Sequence, residues 1–503
     1  AFLNPSIKTL SLQNGGIEHL EIDFLAVYRD LEYLDLSGNK IKAIMANDFQ
    51  NQAKLKVIKL ANNELSTISS RAFAGLKHLE VLDISNNGIK TVEKESFQDL
   101  RSLKLLDLSS NLITEFSPFA LNDLKSLETL NLSQNQLQLF DFGYLQETPL
   151  IRSVDLSKNK ISKIKASNVQ LNSLLHINLS SNLLRSIDAE IFSSVIQLKE
   201  LNLDNNKVTT ISQIGFNHLF SLELLDLSRN PIEVIGTSFF DGLGNLKKLL
   251  LRHLHELRSI QLNAFSGLTM LKVLDLSSCY SLKSIDANAF ESTDELEYLD
   301  LSFCNLQHLP PHLVHWKRLK TLRLTGNPLH CDKELLSFLP EVLRHFRLNN
   351  ILCKSPFQLS NRNIAYLEPQ KEDIRLMLLL CIIGILTLIT VIGIVGYCIY
   401  NEKTKMHEKL VVPTYTPSSI ATAYDKKGLL SKQIFYSPSE LSASTTSTYD
   451  DGEQYSSPIY PVENESTYET PYSPPQQQQQ QLYVKYPTQL LSPKNVERML
   501  QFD

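Results

Sequence analysis

Leu31-Glu32-Tyr33-Leu34-Asp35-Leu36-Ser37-Gly38-Asn39-Lys40-Ile41 decides the fold, because it comes back. It returns as Leu79…Leu82-Asp83-Ile84…Asn87…Ile89, and again as Leu103…Leu106…Leu108…Asn111…Ile113. The position of Asn39 recurs fourteen times between Gly15 and Asn327, at spacings of 23 to 25 residues. Ten of these slots hold Asn, and the exceptions are Gly15, Leu254, Cys279 and Cys304. In L-x-L the two leucines point to one side of an extended backbone and the middle residue to the other. A strand this short is unstable alone, so the repeats must stack in parallel and merge their leucines into one core. A buried Asn amide where the chain leaves the strand can pair with backbone groups of adjacent turns. A trailing Phe (Phe49, Phe73, Phe97, Phe192, Phe216, Phe240, Phe265, Phe290) supplies volume on the opposite side, so the stack curves.

The chain has 503 residues and a net charge of −5. One ordinary core does not extend over such a length, but a repeat stack does, since each unit packs only on its neighbours. Mild acidity gives no electrostatic case for nucleic acid. No G-x-S-x-G, phosphate loop or H-E-x-x-H occurs, and the histidines lack metal spacing. The expectation is therefore a protein that is not an enzyme, with no cofactor and no metal.

L-x-x-L-x-L-x-x-N-x-I with its trailing Phe resembles the typical class of extracellular leucine-rich repeats, found in Toll-like receptors, chaoptin-like adhesion proteins and Slit-like guidance proteins. The resemblance runs from residue 7 to about 369. It implies an α/β solenoid, a horseshoe of about 14 repeats with a parallel concave sheet. The pattern begins at Ile7 with no leader before it, so the sequence reads as a chain whose N-terminal cap is missing.

An open solenoid end exposes leucines and needs a cap. After the last repeat come Cys331, then Leu335, Leu336, Phe338 and Leu339 at helical spacing, then Cys353. This resembles the cysteine-bearing C-terminal flank of such proteins, which carries four cysteines in two disulfides. Lys333 occupies the second slot and no fourth cysteine precedes the apolar segment. The resemblance thus implies a Cys331–Cys353 bridge. Cys279 and Cys304, in the Asn slot, read as buried thiols or as a cross-repeat disulfide.

Leu376–Tyr400 is 25 residues without a charge, and about 20 suffice to cross a bilayer. Lys403, Lys405 and Lys409 follow it, which points the C-terminus to the cytoplasm. Residues 401–503 hold ten of the eighteen Tyr, ten of the twenty Pro and a run of six Gln. That composition reads as disordered. No Toll-type signalling domain fits there. Tyr455-Ser-Ser-Pro and Tyr468-Glu-Thr-Pro resemble sites for SH2 adaptors once phosphorylated, and Tyr472-Ser-Pro-Pro is an alternative for proline-binding domains.

The expected ligand surface is the concave face. Tyr33, Val57, Val81 and Leu105 form one end of it and Tyr298 the other, while Lys248, Arg252 and His253 mark a basic, irregular repeat. Asn131-Leu-Ser and Asn178-Leu-Ser are glycosylation sequons on the same face. Glycans there would hide its middle and leave a ligand either end, or the convex or lateral surfaces.

The organisation expected is repeats 1–329, cap 330–369, juxtamembrane 370–375, transmembrane helix 376–400 and tail 401–503. The function expected is a plasma-membrane recognition receptor, N-terminal part outside, that binds an extracellular protein or glycan and signals through its tail. The alternatives are an adhesion protein or a Toll-like decoy or co-receptor. A homo- or heterodimer fits either.

Overall fold

The computed structural model describes residues 5–20, 25–46, 48–188, 190–212, 214–368 and 374–407. Tyr455, Tyr468 and Tyr472 lie outside the described residues.

Fourteen three-residue strands, from Thr9–Ser11 to Thr321–Arg323, form one parallel sheet in chain order. The register is constant: Tyr33 faces Val57, Leu34 faces Ile58 and Asp35 faces Lys59, and the same three columns continue to Thr321, Leu322 and Arg323. The middle residue of each strand after the first is buried, as are the leucines on either side, so that Leu31, Leu34 and Leu36 are 0% exposed. Burying each leucine contributes roughly 2 kcal/mol, and the core runs unbroken through the stack.

The Asn slot works as a three-way clamp. Asn206 Nδ2 donates to Leu179 C=O in the preceding repeat (2.9 Å) and to Leu203 C=O in its own (3.0 Å), while Oδ1 accepts from Leu184 N–H (3.1 Å). Asn39, Asn63, Asn111, Asn135, Asn159, Asn182 and Asn230 do the same. The residue just before the slot is left-handed in every repeat, from Asn14 (φ 54) and Gly38 (φ 70) to Phe303 (φ 55) and Gly326 (φ 83). At Gly326 a Cβ would also meet the Phe303 ring at 2.5 Å, so any side chain there must displace that ring.

Cys279 and Cys304 are buried free thiols. Each donates backward along the ladder, Cys279 Sγ to Leu251 C=O (3.2 Å) and Cys304 Sγ to Leu276 C=O (3.3 Å). The neighbouring thiol and burial push Cys279 above the ordinary thiol range.

Opposite the sheet, the phenylalanines stack. Phe49, Phe73 and Phe97 lie 6.0 and 6.3 Å apart, and Phe240, Phe265 and Phe290 lie 5.8 and 4.8 Å apart. Leu121 and Leu145 are buried in the interval between these runs. The described residues also contain five accessory parallel sheets, four of two strands and one of three. The three-stranded one joins Val234–Ile235, Ser259–Ile260 and Ser284–Ile285. The repeat consensus alone does not announce these strands.

Helix α1, Lys333–His345, closes the C-terminal end. Asp332 caps it by accepting from Leu335 N–H (2.8 Å). Leu335, Leu336, Leu339 and Leu343 are buried, together with Ile364 and Ala365. Arg344 Nη1 donates to Ala365 C=O (2.8 Å), and a Cys331–Cys353 disulfide (Cα–Cα 5.8 Å) ties the cap to the last repeat. Helix α2, Ile374–His407, follows. Its stretch Met377–Thr404 is long and apolar enough to cross a membrane, and none of it is buried in the protein. The helix extends beyond the 376–400 expected from charge alone because polar residues such as Asn401 and Glu402 continue it.

Candidate functional site: the open face of the sheet

The outer columns of the sheet are the candidate surface. In the second column seven of the fourteen residues are Asp, and that Asp has a structural task. Asp35 Oδ1 accepts from Ser37 N–H (2.9 Å), and Asp83, Asp107, Asp155, Asp226, Asp275 and Asp300 each accept from the N–H two residues on. This is the Asx turn that bends the chain out of the strand. Asn131, Asn178 and Asn202 use Oδ1 in the same way. The acidic run therefore serves the repeat first. Burial pushes Asp107 and Asp226 above the ordinary carboxylate range. In Asp35 burial works upward too, but hydrogen bonds from Ser37, Gln13 and Tyr33 prevail and hold it below that range.

Tyr33, Val57, Val81 and Leu105 lie side by side on consecutive strands. Val57 corrects the expected apolar patch. It is only 4% exposed, a short branched side chain between the larger Tyr33 and the following strand, so it presents almost nothing. Val81 and Leu105 are half-buried.

The two ends of the face carry the same arrangement. Near the N-terminal end, Tyr33 Oη donates to Asp35 Oδ2 (3.2 Å) and Lys59 Nζ lies 5.5 Å from the Tyr33 ring centre. Near the C-terminal end, Tyr298 Oη donates to Asp300 Oδ2 (3.3 Å) and the Arg323 guanidinium lies 5.8 Å from the Tyr298 ring centre. Burial and the Asp300 carboxylate push the Tyr298 phenol up to about 12. Burial works to lower Lys59, but Tyr33, Asp35 and Asp83 together raise it. Lys59 and Arg323 were not among the residues singled out from sequence. The available signal was a cation in the second column one repeat after a Tyr-x-Asp strand.

The basic repeat is largely neutralised from within. Arg252 Nη2 lies 3.2 Å from Asp226 Oδ2, Lys247 Nζ 2.7 Å from Glu223 and Arg258 Nη1 3.6 Å from Glu233. His255 stacks on Tyr280 at 5.5 Å, with His253 beside it at 5.9 Å. Burial, then His255 and the flanking arginines, hold His253 below its ordinary value. Lys248 stands exposed on its strand.

A ladder of alternating charge runs along the edge of the same face, and it too escaped the sequence reading. Glu32 lies 2.8 Å from both Lys8 and Lys56, Glu80 2.8 Å from Lys104, and Glu223 3.2 and 2.7 Å from Lys199 and Lys247. Lys56 and then Lys8 hold Glu32 down to about 2.

Of the two sequon residues, Asn131 is buried and Asn178 half-buried, and each Nδ2 donates to the Asp of the preceding repeat, Asp107 (3.1 Å) and Asp155 (3.2 Å). Among the described residues no cluster of His, Cys, Asp or Glu is arranged to hold a metal ion.

The geometry of this face is that of leucine-rich repeats, and family models agree. The Leucine rich repeat model matches residues 29–89, 77–137 and 271–329, and the BspA type Leucine rich repeat region matches 162–297. The solenoid is thus built of leucine-rich repeats. Similar solved structures include the Toll–Spatzle complex of Drosophila (20% identity, TM-score 0.49, 70% of this chain and 59% of that one). The leucine-rich repeat domain of APL1B is another (23%, 0.49, 68% and 87%), as is the TLR13–ssRNA13 complex (20%, 0.41, 69% and 62%). This chain spans less than two thirds of the Toll chain it matches. No curated protein matches the sequence.

Proposed function

We propose that the chain is a single-pass cell-surface protein whose solenoid binds an extracellular protein or glycan. The observation that carries this reading is continuity: a capped solenoid with an open sheet face leads, within a few residues of Leu367, into a helix whose large apolar side chains from Met377 to Tyr400 are exposed. A helix apolar on every side finds its low-energy surroundings in lipid. Contact falls at the two ends of the sheet, on the Tyr33–Asp35–Lys59 and Tyr298–Asp300–Arg323 groups, where a half-buried ring and a cation lie over a buried carboxylate that orients them. The cytoplasmic tail recruits adaptors through Tyr455, Tyr468 and Tyr472.

Three measurements test this. An N-terminal epitope on intact cells should be reached by antibody, and a C-terminal one only after permeabilisation; the reverse labelling defeats the orientation. In a cell-surface binding screen, a ligand of the full chain should be lost with Tyr33→Ala or Tyr298→Ala, and unaffected binding in both defeats the end-site assignment. Tail peptides phosphorylated at Tyr455 or Tyr468 should capture SH2 proteins that unmodified peptides do not; equal recovery removes signalling.

A further inference from the structure

The cap carries a loop, residues 353–362, that holds an aromatic ring away from the protein. Phe357 is 92% exposed, more than any other large apolar side chain among the described residues. The loop is braced. Cys353 N–H donates to Arg362 C=O (2.9 Å), Asn361 N–H donates to Cys353 C=O (2.8 Å), and Cys353 is bonded to Cys331. Within the loop, Leu359 N–H donates to Pro356 C=O (3.0 Å) and Ser360 N–H to Phe357 C=O (3.2 Å). The backbone pairing holds the loop, and with it the base of the exposed ring, in place. Tyr366, 70% exposed, and Leu352, 45% exposed, belong to the same cap, and Leu352 pairs with Asn363. Lys354 and Arg362 flank the ring along the chain, and no carboxylate falls between positions 353 and 362.

Chain length identifies the occupant. Tyr366 precedes Ile374, the first residue of α2, by eight positions, and eight residues reach at most about 28 Å. A cap tethered so closely to a spanning helix stands against the lipid headgroups. We propose that the cap rests on the outer leaflet of its own membrane, with Phe357 and Tyr366 seated at the interface and Lys354 and Arg362 at phospholipid phosphates. Tyr concentrates at that level of a bilayer, Phe buries its ring at the headgroup–acyl boundary, and cations beside them meet phosphate oxygens. The proposal rests on α2 spanning the membrane.

The test uses the full chain in phosphatidylcholine nanodiscs whose acyl chains are brominated near the headgroup. Phe357→Trp adds one indole to the protein's single Trp, and quenching is measured as the increment over the parent chain. Leu386→Trp, in mid-helix, is matched with lipid brominated near the chain end. The expected result is added quenching at both positions. Quenching at 386 without quenching at 357 overturns the docking while the anchor stands. Quenching at neither overturns both. An indole at 357 unquenched by lipid, whose emission shifts to the blue as protein concentration rises, assigns the ring to a second copy of the chain and also overturns the proposal.

Discussion

From Asn39 to Asn230 an inward amide closes backbone hydrogen bonds in every repeat, whereas from Leu254 to Cys304 the same position carries an isobutyl group and two thiols. Both stretches keep the same sheet register and the same buried leucines. Filling the volume is therefore the condition for stacking, and the amide clamp is an addition to it. The second stretch differs in another place. The only three-stranded accessory sheet among the described residues follows Asn230, Leu254 and Cys279, and the Phe240–Phe265–Phe290 stack lies in the same repeats. Backbone pairing in the accessory strands is longest where side-chain pairing at the slot is thinnest.

Exchanging the slots should break this comparison most sharply. Asn206→Leu strands Leu184 N–H and the carbonyls of Leu179 and Leu203, and at about 1–3 kcal/mol for each buried group left unpaired the loss is roughly 3 kcal/mol or more in urea unfolding of the soluble solenoid. Leu254→Asn places an amide where its partners already stand and should change stability by less than about 1 kcal/mol, unlike polar substitution elsewhere in a core. Equal losses from the two exchanges would show that the slot is merely apolar volume.

Cys353→Ser opens a bridge between residues 22 apart, and loop entropy sets the loss near 3 kcal/mol. It should appear first as amide exchange in the cap and the Leu254–Cys304 repeats, with Asn39–Asn135 protected; uniform exchange would mean the solenoid unfolds as one unit.

Acid should act on the edge ladder of both stretches, more strongly on the first. Glu32 is held to about 2 by two lysines, while Lys320 leads in lowering Glu297. A depressed folded value means stability that is present above the ordinary carboxylate value near 4.5 and lost as pH falls toward 2. Glu32→Gln should therefore flatten the decline of the unfolding midpoint in that window more than Glu297→Gln does. An unchanged slope in both would show that salt screening leaves the ladder without effect.

The smallest effect concerns the sequons. Expressed in a secretory system, the chain should lose a glycosidase-sensitive mobility shift with Asn178→Gln and change less with Asn131→Gln, since Asn131 is the more enclosed. Identical shifts would remove that distinction.

The repeat, the core leucines and the cap helix were legible because each depends on spacing along a single chain. Leu335, Leu336 and Leu339 announced a helix face, and they are buried on one. Val57 was misread because its exposure depends on Tyr33 and Val81, which reach it only across strands. The pairings of Arg252 with Asp226 and Lys59 with Tyr33 were hidden for the same reason: each joins residues about one repeat apart. The left-handed residue before each slot leaves little trace in sequence, since positions as different as Asn62, Arg229 and Phe303 adopt it.

The constant register also governs how such a molecule can change length. Repeats of 23, 24 and 25 residues meet Cα for Cα in the sheet, so length differences are absorbed outside it, and the extra residue of the longest repeats falls between the slot and the accessory strand, as from Leu254 to Ser259 compared with Asn230 to Val234. Removing one whole repeat joins two surfaces that were already built to meet their kind. A gene that drops or duplicates such a block shortens or lengthens the molecule in steps of one strand spacing, about 4.8 Å, and every new junction inherits a fit selected long before.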